Sequence, residues 1–497
     1  MSADRDNAYL VGLVGELCSL PRETEWLEFK GNNSNPQEIG EYISALANSA
    51  ALNGKASGYL IWGIENETHE ITGTAFSPFA RKKGNEPLET WLLISLTPRI
   101  HFRFFELVIE ESSIVLLEIS RAFRHPVRFR NQAFIRVGEV KKPLKDAPER
   151  ERELWRILDQ TPFEDLQATE RVSDEEVLKL LDYPSYFELL EQPLPTNRDG
   201  ILAALCDDQL IVSSDAGGWC ITNLGAILFA RRLSDFSQLK RKATRVVQYR
   251  DESRMEAVRE QVGVRGYASG FEGLVGYIND LLPANEVIGQ ALRENVPMFP
   301  PLAVRELVAN ALIHQDLFVK GAGPMVEIFT DRIEITNPGE PLVSTERFVD
   351  TPPKSRNDFL ASLMRRLRIC EERGSGIDKV VFQVELFQLP APIFEAPNGF
   401  TRTVLFAHKL LTEMDKEERV RACYLHACLK YVMRDYLTNS SLRERFGIEA
   451  HNRSTVSRFI REAVESKAIC PYDASAAPKL MKYVPWWAVK PEEERQT

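Results

Sequence analysis

At 497 residues the chain outgrows a single hydrophobic core, and a scale of about 150 residues per domain gives three or four. Its composition, 44% hydrophobic and 27% charged, excludes a disordered chain, and no apolar run reaches the roughly 18–20 residues that span a bilayer. The net charge of −10 excludes a generally basic polyanion binder, although a local basic face remains compatible with it. Seven sparse cysteines and a start without a basic-then-apolar leader lead to the expectation of a soluble cytoplasmic protein.

The first elements alternate between helical and strand-like patterns. Leu10, Leu13, Val14 and Leu17 recur at helical spacing, Trp26–Lys30 reads as a short strand, and Pro36–Ala51 as a helix with Ile39, Ile43, Leu46 and Ala47 on one side. Gly58–Ile64 is a buried strand, followed by strands at 102–109 and 113–119 and a strand pair within 127–137. These make one α/β domain over residues 1–145. Residues 146–164, with five consecutive charges from Glu149 to Glu153, read as a helical, solvated linker. Residues 165–300 form a helical, winged-helix-like middle region with a hairpin around Ser214–Gly218 and a strand at 245–249. A third domain at 301–410 starts with the helix 303–317, continues through the hairpin 326–336, and contains two more helices and a closing strand. Residues 411–497 read as a separate helical module. The expected fold class is α/β and α+β multidomain.

Glu23, Glu28 and Glu65 form the first constellation with chemical content. Glu28 lies in a strand and Glu65 in the turn after the next buried strand, so their carboxylates converge if the strands are neighbours. Clustered carboxylates repel unless a divalent cation neutralises them, and oxygen-only ligands suit Mg²⁺ or Mn²⁺. Such an ion activates water for phosphodiester cleavage. Lys30 shares the face of Glu28 and is placed for a phosphate. The alternative is a solvated turn with surface charges.

The order Glu23-x4-Glu28-Phe-Lys30, Glu41-x2-Ser44-Ala-Leu-Ala-Asn48, Gly58-Tyr-Leu-Ile-Trp-Gly63-Ile-Glu65 and Arg136-Val-Gly138 resembles the Schlafen/AlbA-type nucleic-acid-binding domain. The resemblance implies Glu23, Glu28 and Glu65 as metal ligands and catalytic residues for cutting structured RNA such as tRNA, with Glu65 standing where aspartate is usual. Arg81, Lys82, Lys83, Arg130, Arg136, Lys141 and Lys142, interleaved with aromatics, are the candidate phosphate contacts.

In the third domain Glu306, Asn310 and His314 stand at i, i+4 and i+8, one stripe of a helix. The stripe is either a solvated face or a site, and asparagine and histidine are poor choices for the former. A glutamate four residues before an asparagine, followed by Asn337-Pro-Gly339 and by Gly374-Ser-Gly376 at a helix start, resembles the boxes of GHKL-type ATPases. The resemblance implies that Glu306 orients a water, Asn310 ligates the Mg²⁺ of ATP, Asn337 reads the base in place of the usual aspartate, and the glycines admit phosphate. Arg356 and Asn357, in the intervening lid, are further candidates.

Ser440–Gly447 followed by Asn452–Arg461 has helix-turn-helix shape, with Arg453, Arg458 and Arg461 on the second helix. A winged helix used for protein contacts fits equally. Cys423-x2-His426-x-Cys428 lacks the second pair that a zinc site needs. Three function classes follow: a nucleotide-gated, metal-dependent endonuclease of the Schlafen-like type in stress or antiphage defence; an ATP-responsive transcription regulator without nuclease activity; and an ATPase that remodels an assembly. RNA or DNA and a nucleotide are the expected partners, with a homodimer or larger homo-oligomer supplying a second lobe.

Overall fold

The structure is a computed structural model that describes all residues except 1–6, 21–23, 67, 110, 161, 215–217, 289–292, 353, 371–375, 474, 478–479 and 489–497, and the side chains at 8, 160, 284–288 and 293–297. The chain divides into two compact units, Met1–Pro162 with Ser213–Gly218, and Phe163–Val212 with Trp219–Thr497. Among the described residues no helix is long and apolar enough to cross a membrane.

The first unit is built on a mixed sheet whose strands lie in the order Leu27–Lys30, Ser57–Trp62, Ser112–Ser120, Phe102–Ile109. The first two run parallel, with Glu28 opposite Leu60 and Lys30 opposite Trp62. A parallel pair needs a crossover, and the helix Pro36–Leu52 supplies it. That helix starts on a built signal: Pro36 at its first position and the Asn35 side chain accepting from the Gln37 amide. Its inner face carries Ser44 and Asn48, both fully buried. Ser44 Oγ donates to the Val127 carbonyl and accepts from the Phe134 amide, while Asn48 donates to the Val127 and Phe134 carbonyls and accepts from the Val127 amide at 2.8 Å. These two side chains satisfy backbone groups of and beside a second sheet, whose strands lie in the order 140–143, 132–137, 128–129, 96–97. Gly58 is equally constrained, because a Cβ there would stand 2.8 Å from the Leu46 carbonyl oxygen. The motif residues Ser44, Asn48 and Gly58 are therefore structural.

The charge run after residue 146 is not a free linker. Helix Pro148–Gln160 buries Leu154 and Leu158 in the same core as Ile39, Ile43 and Leu46. Two leucines four residues apart suffice to dock a helix whose other faces are charged.

The second unit centres on a six-stranded sheet in the order 257–262, 245–249, 325–328, 332–338, 400–406, 393–395. Its first two strands lie in the stretch expected to belong to the middle region, so this fold begins well before residue 301. Val326, Ile328, Ile333, Ile335 and Leu405 face the helices Tyr267–Leu281, Pro301–Ile313, Asp358–Arg366 and Gly376–Leu386 in one core. On the other face Glu327 and Glu334 stand opposite each other, and Arg254 bridges them at 2.8 and 2.7 Å. Residues 174–212 and 219–229 contribute four short helices, with Ile211 and Ile221 of short strands, to the same core. The C-terminal module has helices Lys416–Val432, Asn439–Arg445 and Arg453–Glu465, then the hairpin 469–471 with 483–485.

Replacing Asn48 by alanine removes three buried hydrogen bonds and strands the Val127 amide. At about 1–3 kcal/mol for each group left unsatisfied, the first unit should lose about 3 kcal/mol. Urea unfolding followed by a probe in the first unit checks this; an unchanged midpoint would contradict it.

Candidate functional site

A cavity of about 250 Å³ opens in the second unit between the helix 301–313, the sheet and the segment 341–358. The helix presents Glu306, Asn310 and His314 to it, the stripe expected from their spacing. Asn337 enters from the end of strand Arg332–Pro338, Arg356 from the lid, and Gly376 from the start of helix Gly376–Leu386. Six residues separated by up to 70 positions in sequence thus line one hollow. The helices 301–313 and 376–386 pack side by side, so closely that a Cβ at Gly376 would overlap the Glu306 carboxylate. Gly374 lies outside the described residues.

His314 is held below the usual histidine range, first by desolvation and then by the Arg356 charge, so it is neutral at pH 7. A neutral imidazole offers one donor and one acceptor. Asn337 is buried, and its amide nitrogen donates to the Pro338 carbonyl at 3.2 Å. Gly339 has φ +102° and meets Asp316 and Arg356 rather than the cavity. Asn357 does not reach a phosphate: it is 3% exposed and donates to the Ile313 and Gln315 carbonyls at 2.7 and 2.8 Å. It fastens the lid to the end of the helix. Lys354, Thr401 and Thr403 also line the cavity and escaped the sequence reading. The threonines have a signal: alternate positions of a strand face one way.

The lid helix Asp358–Arg366 starts on a buried acid. Glu164 accepts from the Leu360 amide at 2.5 Å, and its other oxygen has no partner among the described residues. Burial pushes its pKa up to about 7; the Leu360 amide opposes this and the nearby Asp165 adds to it.

In the first unit Glu28 is 3% exposed and paired with two cations, Lys30 and, at 2.8 Å, Arg136. Arg136 is fully buried and also donates to the Leu27 carbonyl, so it is unavailable for nucleic acid, contrary to expectation. Glu65 lies on the surface past the end of its strand and accepts from Thr68 Oγ1 at 3.0 Å. Glu23 lies outside the described residues. Among the described residues no group of three or more histidines, cysteines or acids is placed to hold a metal. A donor already neutralised by a buried guanidinium does not fit a divalent cation as well, and the described residues at this site do not fit one.

Basic residues gather elsewhere in this unit. Lys83 and Arg130 flank the Trp91 ring at 5.9 and 5.0 Å, next to exposed Arg81 and Lys82. Lys141 is drawn to Glu41 at 2.6 Å and lies over the Tyr42 ring, and Lys142 is exposed. In the C-terminal module Arg453 and Arg461 are exposed on the outer face of helix Arg453–Glu465, whose inner face buries Val456, Phe459 and Ile460. Arg458 shares that outer face, 3.9 Å from Glu462. His426 lies between Glu385 at 2.9 Å and Ser441 at 3.0 Å.

Comparison with known proteins matches this division. Residues 23–145 match the family model described as "Schlafen, AlbA_2". Residues 321–405 match the one described as "Putative ATP-dependent DNA helicase recG C-terminal". The chain joins a Schlafen/AlbA_2-type domain to a GHKL-like ATPase-type domain. That pairing associates a nucleic-acid-related module with an ATP-linked one. A search of curated proteins finds no match. Among solved structures, the crystal structure of the DIP2311 protein from Corynebacterium diphtheriae is 17% identical, covering 96% of this chain and 97% of that one with a TM-score of 0.42.

Because Glu164 holds its proton more tightly in the folded state, the stability it contributes is fully present below about 4.5 and is lost as pH rises through about 7. Glu164→Gln keeps an acceptor for Leu360 and cannot ionise. The melting temperature of the wild type should therefore fall more steeply than that of the variant between pH 5 and 8. Parallel curves would show that Glu164 does not titrate in this window.

Proposed function

We propose that this protein binds nucleic acid under nucleotide control, with the GHKL-like cavity as the nucleotide site. The observation that carries the reading is the convergence of Glu306, Asn310, His314, Asn337, Arg356 and Gly376 on one hollow. Its donor set fits a nucleoside triphosphate with Mg²⁺. The Asn310 amide oxygen is a hard ligand for the cation, Arg356 and Lys354 are cations for phosphate oxygens, and Gly376 brings a helix start to the cavity wall. The buried Asn337 carboxamide is placed to read an edge of the base. ATP, when bound, would supply phosphate oxygens for Lys354 and Arg356 to hold, and Glu306 would be the carboxylate to orient a water if the γ-phosphate is cleaved.

The nucleic-acid contacts are the Lys83–Trp91–Arg130 patch with Arg81 and Lys82, together with Lys142, and the exposed Arg453, Arg458 and Arg461 of the C-terminal helix-turn-helix. Cation-flanked aromatics suit single or unstacked strands, and an arginine-bearing helix suits a major groove. The protein as a whole is acidic, so binding rests on these local faces and should weaken steeply with salt.

This reading favours a ligand-responsive binder over a nuclease because Glu28 is spent on Arg136 and Lys30. Glu28→Ala is then a folding variant: it leaves Arg136 charged and buried without its carboxylate, a loss of about 3–5 kcal/mol. Glu65→Ala, at an exposed residue, tests cleavage without that complication.

Two measurements decide the reading. ATP binding followed by calorimetry should weaken at least about tenfold in Asn310→Ala, equivalent to about 1.4 kcal/mol. Fluorescence anisotropy with tRNA, single-stranded RNA and duplex DNA should show binding that ATP changes and that Lys83→Glu with Arg130→Glu weakens. ATP affinity unchanged in Asn310→Ala would remove the nucleotide site. Cleavage with Mn²⁺ that Glu65→Ala abolishes would establish the nuclease instead.

A further inference from the structure

A second cleft of about 620 Å³ lies in the same unit, between the short turn Thr345–Arg347, the edge strand Ile393–Glu395 and the start of helix Lys416–Val432. Three cations line it: Lys416, Arg421 and Lys467. None of the three has a carboxylate within ion-pair distance among the described residues, where the neighbouring Arg419 and Lys409 both do. Arg421 is the informative one. It is half-buried, its Nε donates to the Ala391 carbonyl at 3.1 Å, and its guanidinium carbon lies 5.7 Å from the Phe406 ring. Those contacts fix the plane of the guanidinium and leave its terminal nitrogens without an acceptor among the described residues. Desolvation lowers its pKa, an effect that Glu418, Asp415 and Glu417 oppose. A fixed, partly dehydrated arginine whose terminal nitrogens have no acceptor among the described residues is suited to receive an oxyanion.

The remaining lining gives the anion a shape. Phe394, Tyr424 and Trp486 are aromatic residues of the lining, and Trp486 is 49% exposed. The Tyr424 hydroxyl donates to the Glu346 carbonyl and accepts from Trp487 Nε1 at 3.1 Å, which holds the ring in place. Glu346 and Glu417 add two carboxylates, acceptors of the kind that take sugar hydroxyls. The volume lies within the range of small-molecule sites. We infer that this cleft is a second binding site, for a mononucleotide: phosphate on Arg421, Lys416 and Lys467, ring against the aromatics, and sugar toward the acids. It is separate from the GHKL-like cavity and does not depend on it.

The probe is AMP, followed by equilibrium dialysis against the full chain. Asn310→Ala, which cripples the first cavity, should still bind one AMP. Arg421→Gln should weaken that binding at least about tenfold, and the exposed Lys467→Gln by a smaller factor in the same direction. Lys467→Gln serves as the second variant if Arg421→Gln melts below the wild type. Absence of AMP binding at millimolar concentration in Asn310→Ala overturns the inference. So does AMP affinity unchanged in both cleft variants, and so does displacement of AMP by an equal concentration of inorganic phosphate, since that would leave the rings without a role. ATP binding lost in Asn310→Ala bears on the first cavity alone, so the two sites succeed or fail separately.

Discussion

The packing of helix 301–313 against helix 376–386 is the contact on which the cavity of the second unit depends. Helices 301–313 and 376–386 lie side by side, and the bare backbone at Gly376 makes room for the Glu306 carboxylate. That packing brings the start of one helix beside the polar stripe of the other at the cavity wall. The sheet beneath fixes the third side: Ile335 and Asn337 alternate with Thr336 along one strand, so the strand packs its apolar residue and delivers a polar one to the same face. Asn357 then ties the lid to the carbonyls at the end of helix 301–313.

The same helix that opens at the cavity closes on the C-terminal module. Glu385, in its last turn, meets His426 and lies 3.7 Å from Arg445, which donates to the Leu389 carbonyl. The lid side is connected too, because Tyr424 holds the Glu346 carbonyl and Arg347 lies 4.0 Å from the Trp487 ring. Ile377 lines the cavity and also packs against the cluster of Val349, Val381, Leu425 and Leu429. Cavity and module therefore share packed side chains, which is the physical requirement for one to bias the other.

The cavity was legible in the sequence because its signals are local: a polar stripe at helical period, a strand-end asparagine, a glycine at a helix start. Glu28 was harder. Its strand and neighbour were readable, but the partner that claims it, Arg136, lies over 100 residues away on another sheet, and spacing carries no information about that meeting. The run Glu149–Glu153 hid the docking of Leu154 and Leu158, since charge dominated a pattern that two leucines were enough to decide. The start of the six-stranded sheet was missed because Ala257–Val262 is exposed along its whole length and lacks the alternation that marks a half-buried strand. Asn357 shows the limit of motif reading: a polar residue in a lid was read as a ligand and is a fastener.

Hydrogen–deuterium exchange with and without ATP and Mg²⁺ tests the central claim most directly, since it reports where the nucleotide settles. Slowed exchange should appear together in helix 301–313, in 337–357 and in the first turns of 376–386. Unchanged exchange in all three at saturating ATP, or protection confined to other segments, would contradict a nucleotide seated in the cavity that Glu306, Asn310 and Asn337 line.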